Sequence, residues 1–211
     1  MPTAEQNGFI VELGRWVLKS AIRHKKRWEE KGIDIKLAIN IAAKQIQQEG
    51  FIEHLQNLLE EHQVNHSNIT FEITEYIFLN SNQNLHKTFT AIKELGIEVS
   101  LDDFGTGYSS LSYLKAFPVD TLKIDKAFID DYSSEEGLIF IETIIKMAQT
   151  LQIKVVAEGV ETVEQLSYLK ALNCDLFQGY LCSKPTTVQE FEILYTKQIP
   201  SVELSQQALE I

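Results

Sequence analysis

The sequence is short of several features that would direct a reading at once. Cysteine occurs only as Cys174 and Cys182. Neither belongs to a CxxC pair or a zinc-type spacing, which excludes a disulfide scaffold and a cysteine-built metal site. Both read as reduced thiols of a cytoplasmic protein. Basic residues are in deficit, with 19 Lys and Arg against 30 Asp and Glu and a formal charge of −11. Such a surface repels nucleic acid polymers and anionic membranes. A small anionic ligand stays open, because a local metal or lysine overrides the global field. No apolar run reaches membrane-spanning length, and the opening MPTAEQNG reads as a loop entering a helix, not as a signal peptide. A Gly-rich dinucleotide fingerprint, a P-loop, a Ser–His–Asp order and an activated cysteine are all missing. The five histidines, His24, His54, His62, His66 and His86, lie in charged surroundings and read as surface residues.

What is present is a regular alternation. The 211 residues are 44% hydrophobic, enough for one globular domain with a real core, assigned to 1–198, with a polar tail at 199–211. Phe9, Leu13, Trp16 and Val17 recur at helical spacing, and Gly32 stops that helix after a charged last turn. IKLAINIA reads as a strand, Phe51, Leu55, Leu58 and Leu59 as a helical stripe, and ITFEITE as a second strand. Leu85, Phe89, Ile92 and Leu95 mark a helix closed by Gly96. IEVSLDD is a strand, followed by a short helix from Ser109 that Pro118 breaks. DTLKID is a strand, and Leu138, Ile141, Ile145 and Ala148 give a helix. KVVAEGV is a strand, with Thr162 and Gln165 forming a capping box before the next helix. DLFQGY is a short last strand, and a final helix spans about Val188 to Thr196. About six strands, each followed by a helix, imply a parallel α/β sheet.

Polar residues end every strand: Asn40, Glu72 and Glu75, Asp102 and Asp103, Lys123 and Asp125, Glu158 and Glu161, Gln178. A doubly wound sheet concentrates its site at one switch point, whereas a closed barrel builds it from many strand ends. The pattern is that of a barrel, although six strands are two short of eight. Carboxylates with an amide oxygen form a hard donor set that suits Mg²⁺ or Mn²⁺. Clustered carboxylates repel one another unless cations or protons offset them, and two divalent ions also make a clamp for phosphoryl chemistry. Each residue has a plainer role open to it. Asn40 can form a turn, the Asp pair can cap a helix, and Asp125 reads as a structural cap. Glu75 can start a helix or anchor a loop. Lys123 can neutralise carboxylates, Glu158 and Glu161 can be surface charges, and Gln178 can satisfy a loop backbone.

Four ordered stretches, NITFEITE, SLDDFGTGYSSLSYLKAFPVDTLKIDKAFI, VVAEGVET and CDLFQGYLCSKP, resemble the EAL-domain family of bacterial cyclic-di-GMP phosphodiesterases over about Pro2 to Phe191. The resemblance implies a modified TIM barrel of the EAL type that hydrolyses cyclic-di-GMP to linear pGpG. It implies a two-metal site for Mg²⁺ or Mn²⁺, with Ca²⁺ inhibitory. By match to the family pattern, Asn40, Glu72, Asp102 and Asp103 would be metal ligands. Lys123 would hold the attacking water, and Glu158 would be general base or partner of a metal-bound water. Gln178 would lie near that water, Glu75 would order the loop from Asp103 to Ser110, and Glu161 would support the site. Gly105 and Thr106 fall within that loop. The 211 residues contain no Glu-Ala-Leu tripeptide. The family segment carrying it, a two-strand hairpin, accounts for the two strands not counted, so the barrel is read as lacking its first hairpin. The alternative reading is a non-catalytic cyclic-di-GMP sensor or protein-interaction module. Expected partners are cyclic-di-GMP and either a homodimer or an upstream sensory or GGDEF-type domain.

Overall fold

A computed structural model describes residue 4 and residues 6–80, 83–105 and 111–198. Six strands alternate with helices as the pattern predicts. In order they are α1 (Ile10–Glu30), β1 (Leu37–Asn40), α2 (Ala43–Ile46), α3 (Phe51–His62), β2 (Ile69–Thr74), α4 (Gln83–Glu94), β3 (Glu98–Phe104), α5 (Leu111–Ala116), β4 (Thr121–Ile124), α6 (Lys126–Asp130), α7 (Glu135–Leu151), β5 (Lys154–Ala157), α8 (Val163–Ala171), β6 (Leu176–Phe177) and α9 (Val188–Gln198). The chain divides into two compact units, Met1–Lys123 and Ile124–Ile211, so the boundary falls inside β4.

In the first unit the strands lie in the order β1, β2, β3, β4. β1 pairs in parallel with β2, and β2 with β3. Ile69, Phe71, Ile73, Val99, Leu101 and Leu122 are buried along these strands, as a parallel sheet covered by helices requires. At the N-terminal end, Asp120 ties β4 to β3. Its amide donates to Val99 O at 2.9 Å and its carboxylate accepts from Val99 N at 2.7 Å. The same carboxylate takes Lys93 at 2.6 Å. Phe78, Phe89 and Phe117 form an aromatic cluster with centroids 4.7 to 6.1 Å apart, with Tyr113 stacked on Phe78.

Helix α1 buries a different row from the stripe read in the sequence, of which Leu13 and Val17 are only half-buried. Trp16 is 67% and Phe9 52% exposed, and the buried face is Ile10, Leu18, Ile22, Lys25 and Trp28. A second apolar row at helical spacing, Ile10, Leu18 and Ile22, is the one that faces inward, and Lys25 is buried with it. That lysine is fully buried, with its ammonium 3.0 Å from Glu29 though outside hydrogen-bond geometry. Long side chains of this kind bury their methylene stems. The histidines are also less exposed than their charged neighbours imply. Only His86 is fully at the surface, and its Nε2 lies 2.7 Å from Ala116 O.

In the second unit β5 pairs in parallel with β6. The amide of Glu158, just past β5, donates to Ile124 O, the last residue of β4, at 3.0 Å. Local signals hold here in detail. Asp125 caps α6 by accepting from Ala127 N at 2.8 Å, and Ser134 caps α7 by accepting from Gly137 N at 2.9 Å. Thr162 and Gln165 form both halves of the capping box. The last strand is shorter than DLFQGY suggests, only Leu176–Phe177. Among the described residues no helix is long and apolar enough to cross a membrane. The 199–211 tail, the start of the helix read from Ser109, and Thr106 lie outside the described residues.

Both cysteines are free. Burial pushes the Cys174 thiol from its ordinary 9.0 up to about 11. A thiol that stays neutral when folded but ionises when unfolded adds stability below pH 9 and loses it as pH rises toward 11. The loss amounts to about 2 to 3 kcal/mol. Urea unfolding at pH 8, 9.5 and 10.5 is expected to show this fall in the wild-type chain and a shallower one in Cys174→Ala.

Candidate metal and phosphodiester site

The first unit gathers its charged strand residues through register. Asn40 is level with Glu72, and Thr74 with Asp102. Side chains alternate along a strand, so Asn40, Glu72 and Asp102 share one face. The next strand delivers Lys123 to the same group. Its ammonium lies 2.8 Å from Glu72 Oε1 and 3.1 Å from Asp102 Oδ1, and the three side chains are 5%, 11% and 14% exposed. Glu72 is therefore not a lone buried carboxylate.

Asp103 would face away by alternation alone. Its φ of 56° breaks the pattern. That left-handed conformation is one that aspartate tolerates better than most residues. A carboxylate oxygen of Asp103 consequently lies within 4.8 Å of one on Asp102. Asp102 Oδ1 also accepts the Asp103 amide at 3.1 Å. The adjacency of two like charges is thus built by the backbone. Gly105 follows, also at positive φ (98°). Three carboxylates against one ammonium leave excess negative charge in a poorly hydrated place. Such a place favours a cation. Glu75 is half-buried at the start of the 3₁₀ turn Glu75–Asn80, directly after β2.

In the second unit, half-buried Glu158 follows β5 directly. Gln178 is exposed and acts through its backbone, its amide donating to Ala157 O at 2.8 Å and its carbonyl accepting from Val160 N at 3.0 Å. Glu161 pairs with Lys126 at 3.0 Å. Lys126 carries no signal as a site residue in the sequence. Only its helical partner Asp130, four residues on and 2.7 Å away, is legible there. A groove of about 820 Å³, lined by Phe51, Leu85, Lys87 and neighbours, holds none of these residues. Charge and register mark the site better than volume does.

The profile of the EAL domain family matches residues 1–185. The "Signaling protein YkoW" of Bacillus subtilis is 40% identical over 190 residues, 90% of this chain and 24% of that protein. The "Cyclic di-GMP phosphodiesterase PdeR" of Escherichia coli is 35% identical over 92% of this chain and 30% of that protein. Among solved structures, "PaMucR Phosphodiesterase, c-di-GMP complex" is 35% identical with a TM-score of 0.85, covering 90% of this chain and 78% of that one. The chain belongs to the EAL domain family, and its α/β fold is of the TIM-barrel-like type of those structures. It spans roughly a quarter to a third of the length of these curated relatives.

Removing one member of a buried charge cluster leaves the others uncompensated. Lys123→Met is expected to cost about 3 kcal/mol in urea unfolding at pH 7.5 with EDTA. An unchanged midpoint at pH 7.5 would contradict the pairing described here.

Proposed function

We propose that this chain is a metal-dependent phosphodiesterase domain that cleaves cyclic-di-GMP to linear pGpG. The observation that carries the reading is the grip of Lys123 on Glu72 and Asp102 with Asp103 alongside. It is supported by similarity to relatives whose names record that activity. The donor set fits a hard divalent cation, since its atoms are all oxygens and its negative charge exceeds what one ammonium offsets. Asn40, Glu72, Asp102 and Asp103 would hold Mg²⁺ or Mn²⁺, as a pair of ions. The bound metal supplies Lewis-acid stabilisation of the phosphoryl oxygens and lowers the pKa of water.

The chain's own residues do the rest. Lys123 holds and aims the Glu72 and Asp102 carboxylates, and its charge opposes the negative charge that develops on the phosphoryl group. Glu158 takes the proton of the attacking water on its carboxylate. Glu161 and Gln178 support that segment, and Glu75, Gly105 and Thr106 are taken as further supporting or substrate-site residues. The domain is taken as 1–198 with a polar tail, working in the cytoplasm as a homodimer or beneath a sensory or GGDEF-type domain.

The test is incubation of the chain with cyclic-di-GMP and Mn²⁺, following pGpG by chromatography. Product is expected, abolished by EDTA and reduced at least about 100-fold in Asp102→Asn. Cyclic-di-GMP binding without product would replace this reading with the non-catalytic sensor. Neither binding nor product would overturn both.

A further inference from the structure

The turn that follows β5 is fixed from several directions. Glu158 N–H donates to Ile124 O at 3.0 Å, Val160 N–H to Gln178 O at 3.0 Å, and Leu181 N–H to Val160 O at 3.0 Å. The amides of Glu161 and Thr162 both donate to Gln165 Oε1, at 2.8 and 3.0 Å. Gln165 is buried, and its Nε2 donates to Ile129 O at 3.3 Å. At Gly179 a Cβ would lie 2.1 Å from Val160 O, so the loop after β6 is pressed directly on this backbone.

The remaining side is closed by a side chain. Gly159 has φ 67°, and a Cβ there would stand 2.3 Å from Lys126 Cγ and 2.5 Å from its Cδ. The stem of Lys126 therefore lies across the residue next to Glu158. Its ammonium ends between Asp130 Oδ1 at 2.7 Å and Glu161 Oε1 at 3.0 Å. The hydrogen bonds that this ammonium donates to Asp130 first, and then to Glu161, raise the lysine pKa, so it stays charged.

We propose that Lys126 is a positioning residue for the reaction: its stem and ammonium lock the 158–161 turn and hold the Glu158 carboxylate in its working orientation. This rests on the phosphodiesterase reading. Lys126 is 44% and Glu161 43% exposed, and pairs so exposed add little to global stability. The consequence is therefore local. A general base loses efficiency when its orientation loosens, even though the fold is untouched.

The test uses Lys126→Met, which keeps the stem and removes the charge, Lys126→Arg, which keeps both, Glu161→Gln, and the double variant Lys126→Met/Glu161→Gln. Lys126→Met is expected to lower kcat about tenfold, with KM within about twofold and the melting point nearly unchanged. Lys126→Arg should restore kcat. The double variant should be no slower than the slower single variant, because both changes break one link. Independently of turnover, hydrogen exchange in EDTA should speed up about tenfold at the amides of Glu158 and Glu161 in Lys126→Met and in Glu161→Gln. Glu161→Gln breaks the link from its other end should Lys126→Met fail to fold. Wild-type exchange in both variants would overturn the positioning role. So would a raised KM at unchanged kcat, which would make Lys126 a substrate contact. A wild-type chain without turnover would sink the phosphodiesterase reading and, with it, the catalytic role given to Lys126. Exchange would then report only whether the lysine fixes the turn.

Discussion

A lysine ammonium held between two carboxylates that water barely reaches satisfies opposing demands. Each ion alone would be costly to bury, and together Glu72, Asp102 and Lys123 remain one negative charge in excess. β2, β3 and β4 must therefore arrive in one register, since a slip of one residue would turn each charge to the opposite face. The buried positions of those strands, Phe71, Ile73, Leu101 and Leu122, enforce that register from the apolar side. Core and chemistry are two faces of a single alternation.

This coupling explains why the fold was legible in the sequence. Strand positions follow from β-branched runs, and caps such as Asp125, Ser134 and the Thr162–Gln165 box follow from short-range hydrogen bonding. The metal-type residues were legible because carboxylates that end apolar runs are costly without a purpose. Contacts set by tertiary packing were not legible. Helix α1 carries two apolar rows at helical spacing, and periodicity alone does not say which faces inward. The conformation of Asp103 is a backbone event with only its residue type as a hint. The pairing of Lys126 with Glu161 joins residues 35 positions apart along the chain and has no local signature.

The two units hold their polar residues by different means. In the first, buried charge links neighbouring strands, and a lost partner is expensive. In the second, the hold depends on backbone hydrogen bonds and on two glycines that let neighbouring groups approach closely. The first arrangement suits groups that must stay ionised. The second suits a segment whose side chain must be oriented while still meeting water.

The unusual face of α1 has a practical consequence. The chain's two tryptophans sit on that one helix, Trp16 in solvent and Trp28 enclosed. Their emission therefore separates into a red component open to acrylamide quenching and a blue, shielded one. The blue component follows unfolding of the first unit. The red one responds to whatever covers the outer side of α1, so the protein carries its own optical probe for events on that surface.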